Sequence, residues 1–157
     1  MKRIIALTHS SNKGKTCTLI ELGNLLLAEP AVDILYCDQP VSKNEKLPPS
    51  KDITLAVKLF CKVVGIVSQG DPNTDLKNRL QEVIDNYKVD YLFCATRTRG
   101  ETVVDVYETL GSTAYEKLWT STYYSDNGEE NEAEANFLNK LKAKHLLDLL
   151  KELILND

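Results

Sequence analysis

Short apolar runs alternate with stretches of helical period along the chain. The apolar runs are rich in β-branched and aromatic residues and are bounded by polar or turn-forming residues, which is typical of strands. They predict strands at residues 3–8, 32–39, 89–99 and 115–125. Apolar residues spaced three and four apart predict helices at residues 15–28, 75–87, 101–110 and 132–155. This order of elements predicts an α/β fold.

The middle of the chain departs from the simple alternation. Residues 40–51 have the proline, serine and charge content of a loop. The segment ITLAVKLFCKVVGIVSQGDP predicts two strands joined near Cys61 and Lys62, in an antiparallel hairpin around residues 53–69. We therefore expect residues 1–157 to form a single domain, a three-layer sandwich in which helices flank a mostly parallel sheet. The nearly continuous apolar segments RIIAL, DILYC and VDYLFCA favour strands that are buried on both faces.

Composition narrows the class of protein without changing this fold. The net charge is −4 and the Lys and Arg residues are scattered, which argues against an extended nucleic-acid surface. No apolar stretch is long enough to span a membrane, and the apolar run at residues 4–7 is too short for a signal peptide. The cysteines are too widely spaced for a zinc motif or a disulfide framework: Cys17, Cys37, Cys61 and Cys94. Reduced thiols in a cytoplasmic protein are expected.

The segments with unusual chemistry follow the predicted strands at their C-terminal ends. These segments are HSSNKGKT, DQP, SQGDP, TRTRG and STYYSD. In open α/β sheets, ligands bind in the crevice outside the carboxyl ends of the strands. The sequence therefore predicts a binding site at that edge of the sheet.

The segment between the first strand and the first helix has the features of a phosphate-binding loop. It ends in Gly14-Lys15-Thr16, the last three positions of the motif Gly-x-x-x-x-Gly-Lys-[Ser/Thr]. In that motif, backbone amides cradle phosphate oxygens, the lysine reaches the β- and γ-phosphates, and the hydroxyl binds Mg²⁺. The residues predicted to bind the nucleotide are Ser10, Ser11, Asn12, Lys13, Gly14, Lys15, Thr16 and Cys17. His9 occupies the position of the motif's first glycine, either as a tolerated replacement or as a residue that touches the phosphate or an acceptor.

This segment resembles the P-loop NTPase superfamily, on its kinase and GTPase side. Small, functionally uncharacterised bacterial P-loop proteins are similar also through VGIVSQGDP and CATRTRGET. The resemblance implies binding of Mg²⁺ with ATP or another nucleoside triphosphate. The residue directly after Asp38 is not acidic, unlike in motor-type ATPases. NYKVD has the wrong spacing for a guanine-reading motif, so the identity of the base is left open.

Proteins of this kind hold Mg²⁺ through an aspartate that follows an apolar strand, and two aspartates fit that description. We expect Asp71 to bind the metal together with Thr16, and Asp38 to lie on the side of the phosphoryl acceptor. Turn formation beside a proline is the alternative role for each aspartate.

The segment TRTRG carries two arginines, Arg97 and Arg99. If the preceding strand continues through them, their side chains point to one face. Two neighbouring guanidinium groups repel unless an anion joins them, so we expect them to act with Lys15 as the catalytic cations of phosphoryl transfer. The alternative is that they are solvated, or paired with Glu101 and Asp105.

Two further features are ambiguous. Tyr123 and Tyr124 either stack on a base or belong to the core. The leucines of the last helix predict either packing on the sheet or a homodimer interface.

Taken together, these features predict a protein that binds a nucleoside triphosphate and transfers a phosphoryl group to a small molecule or a nucleotide. The alternatives are a nucleotide-dependent regulatory switch that acts on a protein partner, and a degenerate phosphate-binding protein without catalysis.

Overall fold

The computed structural model describes residues 1–109, 114–126 and 131–157. The strands in these residues are β1 (Lys2–Thr8), β2 (Asp33–Cys37), β3 (Thr54–Leu59), β4 (Lys62–Val67), β5 (Tyr91–Thr96) and β6 (Tyr115–Ser121). The helices are α1 (Lys15–Leu27), α2 (Leu76–Tyr87), α3 (Glu101–Glu108) and α4 (Glu132–Asn156). The helix predicted at 101–110 ends at Glu108, and Leu110, its last predicted residue, lies outside the described residues.

The strands form one sheet in the order β2-β3-β4-β5-β1-β6. Strand β3 is antiparallel to β2 and to β4, and the other neighbouring strands are parallel. The predicted α/β fold with a mostly parallel sheet is thus confirmed, and the predicted hairpin is the β3–β4 pair. Its turn consists of Phe60 and Cys61, both with positive φ, which matches the right-handed twist of a two-residue hairpin.

Two apolar cores lie on opposite faces of the sheet, because alternate residues of a strand point to opposite sides. Ile5 and Leu7 of β1 belong to a core with residues of α1 and α4. Ile4 and Ala6 of the same strand belong to a second core with residues of α2 and α3. Water is excluded from β1 and β5 by the two cores. This agrees with the nearly continuous apolar sequence in the middle of both strands.

The strand ends that carry the predicted chemistry lie level with one another. Thr8 at the end of β1 is paired with Thr96 of β5 and with Ser121 of β6. The segments that follow these three residues therefore leave the sheet at the same edge. Since β3 runs in the opposite direction, its first residue, Thr54, also lies at this edge, opposite Val67 of β4.

Three predicted strands are too long at this edge. The strand predicted at 32–39 ends at Cys37, the one predicted at 89–99 ends at Thr96, and the one predicted at 115–125 ends at Ser121. In the last two, polar residues continue as loop where the neighbouring strand β1 also ends, at Thr8. Within the described residues, no helix is both long enough and apolar enough to cross a membrane.

Candidate functional site

The loop between β1 and α1 is shaped by two residues in the left-handed region. Asn12 has a φ of 54° and Gly14 a φ of 79°. A Cβ atom at Gly14 would lie 2.3 Å from the side-chain oxygen of Asn139 in α4, so the site excludes a side chain on steric grounds as well. Asn139 is buried and accepts a hydrogen bond from the Thr18 hydroxyl at 3.3 Å, which fixes α4 against the start of α1.

His9 occupies the position of the motif's first glycine without adopting a backbone conformation that favours glycine. It is not one of the residues with positive φ. Its Nδ1 accepts a hydrogen bond from the backbone N–H of Ser10 at 2.8 Å, and this bond holds the ring beside the loop. Partial burial and the charges of Lys15 and Lys13 lower the pKa of His9, which favours the neutral ring at pH 7.

Lys15 is buried with its ammonium group inside the loop. Its Nζ donates to the backbone carbonyls of Ser10, at 2.7 Å, and His9, at 3.0 Å. Only 6% of the residue is exposed. Burial lowers the pKa of Lys15 and the charge of Arg97 lowers it further, whereas Asp71 acts in the opposite direction. The Lys15 ammonium is therefore largely desolvated, and its hydrogen-bond acceptors are uncharged carbonyls.

A cavity of about 230 Å³ opens beside this ammonium. Its walls are formed by residues 12–17 on one side and by Gly70, Asp71 and Ala95 on the other. Gly70 permits the close approach of the two walls, since a Cβ atom there would lie 2.5 Å from the backbone of Ala95. The cavity lies at the N-terminus of α1, whose first turn contains no acidic residue. The positive end of the helix dipole favours an anion at this position.

A larger cavity, of about 780 Å³, lies on the other side of the loop. Residues 11–14 of the loop, residues 123–126 after β6 and the beginning of α4 line it. The two cavities share residues 12–14 as a common wall. Tyr124 reaches from the segment after β6 to Lys13, whose ammonium lies 3.7 Å from the ring centre and donates to the Tyr124 hydroxyl.

The predicted nucleotide-binding residues are distributed over this arrangement. Ser11 lines the larger cavity, Asn12, Lys13 and Gly14 line both, and Lys15, Thr16 and Cys17 line the smaller one. Ser10 lines neither cavity and contributes its carbonyl to Lys15. Residues 12–17 of the predicted segment thus form one wall of the smaller cavity, and Ser10 and Ser11 do not line it.

Thr16 is bonded to an aspartate that the sequence did not indicate. Its hydroxyl donates to Oδ1 of Asp52 at 3.3 Å, and the same oxygen accepts from the Ser68 hydroxyl at 2.9 Å. Asp52 follows the loop at 40–51 and precedes β3. The direction of β3 brings Asp52 to the edge where the parallel strands end, and the predicted antiparallel hairpin was the one signal for this placement.

Asp71 is engaged by Arg97. Its Oδ1 accepts from the Arg97 guanidinium at 2.8 Å and 3.1 Å. The Arg97 backbone is held in turn, because its carbonyl accepts from the Thr8 hydroxyl and its N–H donates to the Thr102 hydroxyl, both at 2.9 Å. Arg99 is exposed and, since β5 ends at Thr96, it is not placed beside Arg97 by a strand. The two arginines therefore have different surroundings.

Asp38 has a structural partner. Its Oδ1 accepts from the backbone N–H of Thr54 at 3.0 Å, and it lines neither of the two cavities described above. This contact joins the end of β2 to the start of β3 and is not the turn beside a proline that was the alternative for Asp38. The expectation that it serves a phosphoryl acceptor stays a prediction.

The two ambiguous features are partly explained by packing. The hydroxyl of Tyr123 lies 2.8 Å from Nδ1 of His145 on α4, and both Tyr123 and Tyr124 lie in the loop after β6. Leu146 and Leu150 of α4 are buried in the core with β1, which agrees with packing on the sheet. A homodimer interface stays a prediction.

Comparison of the chain with protein-family models, curated proteins and solved structures gives no significant match.

Proposed function

We propose that this chain is a P-loop NTPase-like protein that binds the phosphates of a nucleoside triphosphate, ATP or another, in the cavity beside Lys15. The observation that carries the proposal is the buried ammonium of Lys15, bonded to the carbonyls of His9 and Ser10 at the mouth of the loop. An ionised phosphate oxygen is a stronger acceptor for an ammonium than an uncharged carbonyl. A phosphate group would therefore take over this donor.

The surroundings of Lys15 support a phosphate over other anions. The N-terminus of α1 directs backbone N–H groups towards the cavity, which is the arrangement that phosphate-binding loops use. Asn12 and Gly14 provide positive φ angles, and successive backbone amides turned in this way form a concave anion site. The chain adds no acidic residue in the first turn of α1 that would oppose an anion.

The chemistry around Thr16 fits Mg²⁺. This ion binds nucleotides through one or two protein oxygen ligands, with phosphate oxygens and waters completing its shell. The Thr16 hydroxyl lines the phosphate cavity and has a carboxylate as its neighbour. Bound Mg²⁺ would neutralise charge on the β- and γ-phosphates.

The larger cavity offers space for the ribose and base. It meets the phosphate cavity along residues 12–14, and its lining includes Tyr124, Ser125 and Asp126. An aromatic face together with hydrogen-bonding side chains is the combination by which proteins hold a nucleobase.

Phosphoryl transfer is the reaction that this arrangement supports best. Arg97 is bonded to Asp71, which lies in the wall of the cavity beside Lys15, and its charge acts on Lys15. In phosphoryl transfer the protein contributes mainly position and positive charge, and an arginine near the γ-phosphate provides both. We propose Lys15 and Arg97 as the two groups that would neutralise the transferred phosphoryl group.

Isothermal titration of ATP and GTP, each with and without Mg²⁺, tests the proposal. Micromolar binding that depends on Mg²⁺ is the expected result. Release or transfer of phosphate, measured with nucleoside and nucleotide acceptors, then separates a phosphotransferase from a regulatory switch. Failure of both nucleotides to bind would contradict the proposal and favour a loop that has lost its ligand.

A further inference from the structure

Thr16, Asp52 and Ser68 form a chain of side-chain hydrogen bonds that joins α1 to the ends of β3 and β4. Oδ1 of Asp52 accepts from the Thr16 hydroxyl at 3.3 Å and from the Ser68 hydroxyl at 2.9 Å. Ser68 is fully buried, and its hydroxyl also accepts from the backbone N–H of Ile53 at 2.8 Å. The Asp52 carboxylate is thus anchored on the protein side, although the residue itself is exposed.

We infer that Asp52, and not Asp71, is the carboxylate that acts with Thr16 towards Mg²⁺; the inference rests on the proposed nucleotide binding. The hydroxyl and the carboxylate are already neighbours, and both are hard oxygen donors of the kind that Mg²⁺ prefers. The Ser68 hydroxyl orients the carboxylate from behind, as partners of metal-ligating groups commonly do.

Asp71 is less suited to bind the metal because its carboxylate already forms an ion pair with the Arg97 guanidinium. Oδ1 of Asp71 accepts both hydrogen bonds from the Arg97 guanidinium. A divalent ion on the same carboxylate would have to stand beside this positive charge. Asp52 has neutral hydroxyls as its hydrogen-bond partners, so a cation there meets no such repulsion.

The two assignments are separated by the contribution of Mg²⁺ to nucleotide affinity. The dissociation constant of ATP is measured in excess Mg²⁺ and in EDTA, and the ratio of the two gives the Mg²⁺ enhancement. We expect Asp52→Asn to reduce this enhancement by about 10-fold or more, in line with the effect of altering the support of a metal site. Asp71→Asn is expected to retain the wild-type enhancement.

Asp38→Asn is the matched control, because Asp38 also accepts a hydrogen bond at the start of β3 but is bonded to the Thr54 N–H and not to Thr16. Its Mg²⁺ enhancement is expected to equal that of the wild type. Thermal unfolding of each variant verifies the fold, and Asp52→Glu, which keeps the charge but displaces the oxygens, replaces Asp52→Asn if the latter does not fold. The electron paramagnetic resonance spectrum of Mn²⁺ bound with ATP gives a second readout, expected to change with Asp52 and not with Asp71.

An unchanged enhancement and an unchanged Mn²⁺ spectrum in folded Asp52 variants would overturn the inference. Loss of the enhancement in Asp71→Asn alone would overturn it in favour of Asp71. Failure of the wild type to bind ATP in either buffer would overturn the proposed function as well. The two failures are distinguishable, because the first leaves ATP binding in EDTA intact.

Discussion

Asn139 of α4 occupies the space that a side chain at Gly14 would need. Its Oδ1 would lie 2.3 Å from a Cβ atom built on Gly14, and the same oxygen accepts from the Thr18 hydroxyl. The loop between β1 and α1, the start of α1 and the first third of α4 therefore depend on one another. The last helix of the chain is in this way a part of the site, beyond its role of covering the sheet.

This relationship predicts non-additive effects on stability. Gly14→Ala is expected to lower the free energy of unfolding by about 2–4 kcal/mol, from the positive φ and the clash combined. In an Asn139→Ala background the clash disappears, and the loss is expected to fall to about 1–2 kcal/mol. Chemical denaturation of the four proteins measures the cycle. An equal loss in both backgrounds would show that Asn139 does not oppose the side chain.

Restoring the glycine of the phosphate-loop motif is expected to give no gain. His9 does not use a positive φ, and its Nδ1 accepts the Ser10 N–H, so His9→Gly removes a contact and adds freedom to the unfolded chain. We expect the free energy of unfolding to fall by about 1 kcal/mol. Nucleotide affinity, measured by titration, is expected to stay equal or to weaken. A tenfold increase in affinity would mean that His9 impairs the loop.

Arg97 and Arg99 are expected to differ in their effect on nucleotide binding. Arg97→Ala should weaken the binding of a nucleoside triphosphate more than that of the diphosphate, because Arg97 is bonded to Asp71 in the wall of the cavity proposed to hold the phosphates. Exposed Arg99 is the matched control, and Arg99→Ala should leave both affinities unchanged.

Stability is expected to change little in either arginine variant. The Arg97–Asp71 ion pair is exposed on its aspartate side, and exposed pairs contribute about 1 kcal/mol or less. Equal weakening by Arg97→Ala and Arg99→Ala would restore the prediction that both arginines bind the anion.

The fold was predictable because its signals are local. The β3–β4 hairpin follows from two apolar runs, even though its turn, Phe60 and Cys61, contains none of the usual turn residues. The loop between β1 and α1 follows from the polar segment that separates an apolar run from a stretch of helical period. These features need only the neighbours of each residue along the chain.

The partners within the site were not predictable in the same way. Asp52 reaches Thr16 because β3 runs against the other strands, which is a property of the whole sheet. Arg97 and Asp71 meet because β4 and β5 are neighbours in the sheet, and the sequence of neither segment indicates that it contacts the other. The end of β5 at Thr96 likewise depends on where β1 ends.

The most direct measurement is isothermal titration of Mg²⁺–ATP into the wild type, Lys15→Ala and, as a control, Lys58→Ala, which removes an exposed lysine of β3. We expect micromolar binding by the wild type and by Lys58→Ala. In Lys15→Ala we expect binding to be weaker by about 30-fold or more, because a charge-assisted hydrogen bond contributes roughly 2 kcal/mol. Equal binding by wild type and Lys15→Ala, or no binding by the wild type, would contradict this expectation.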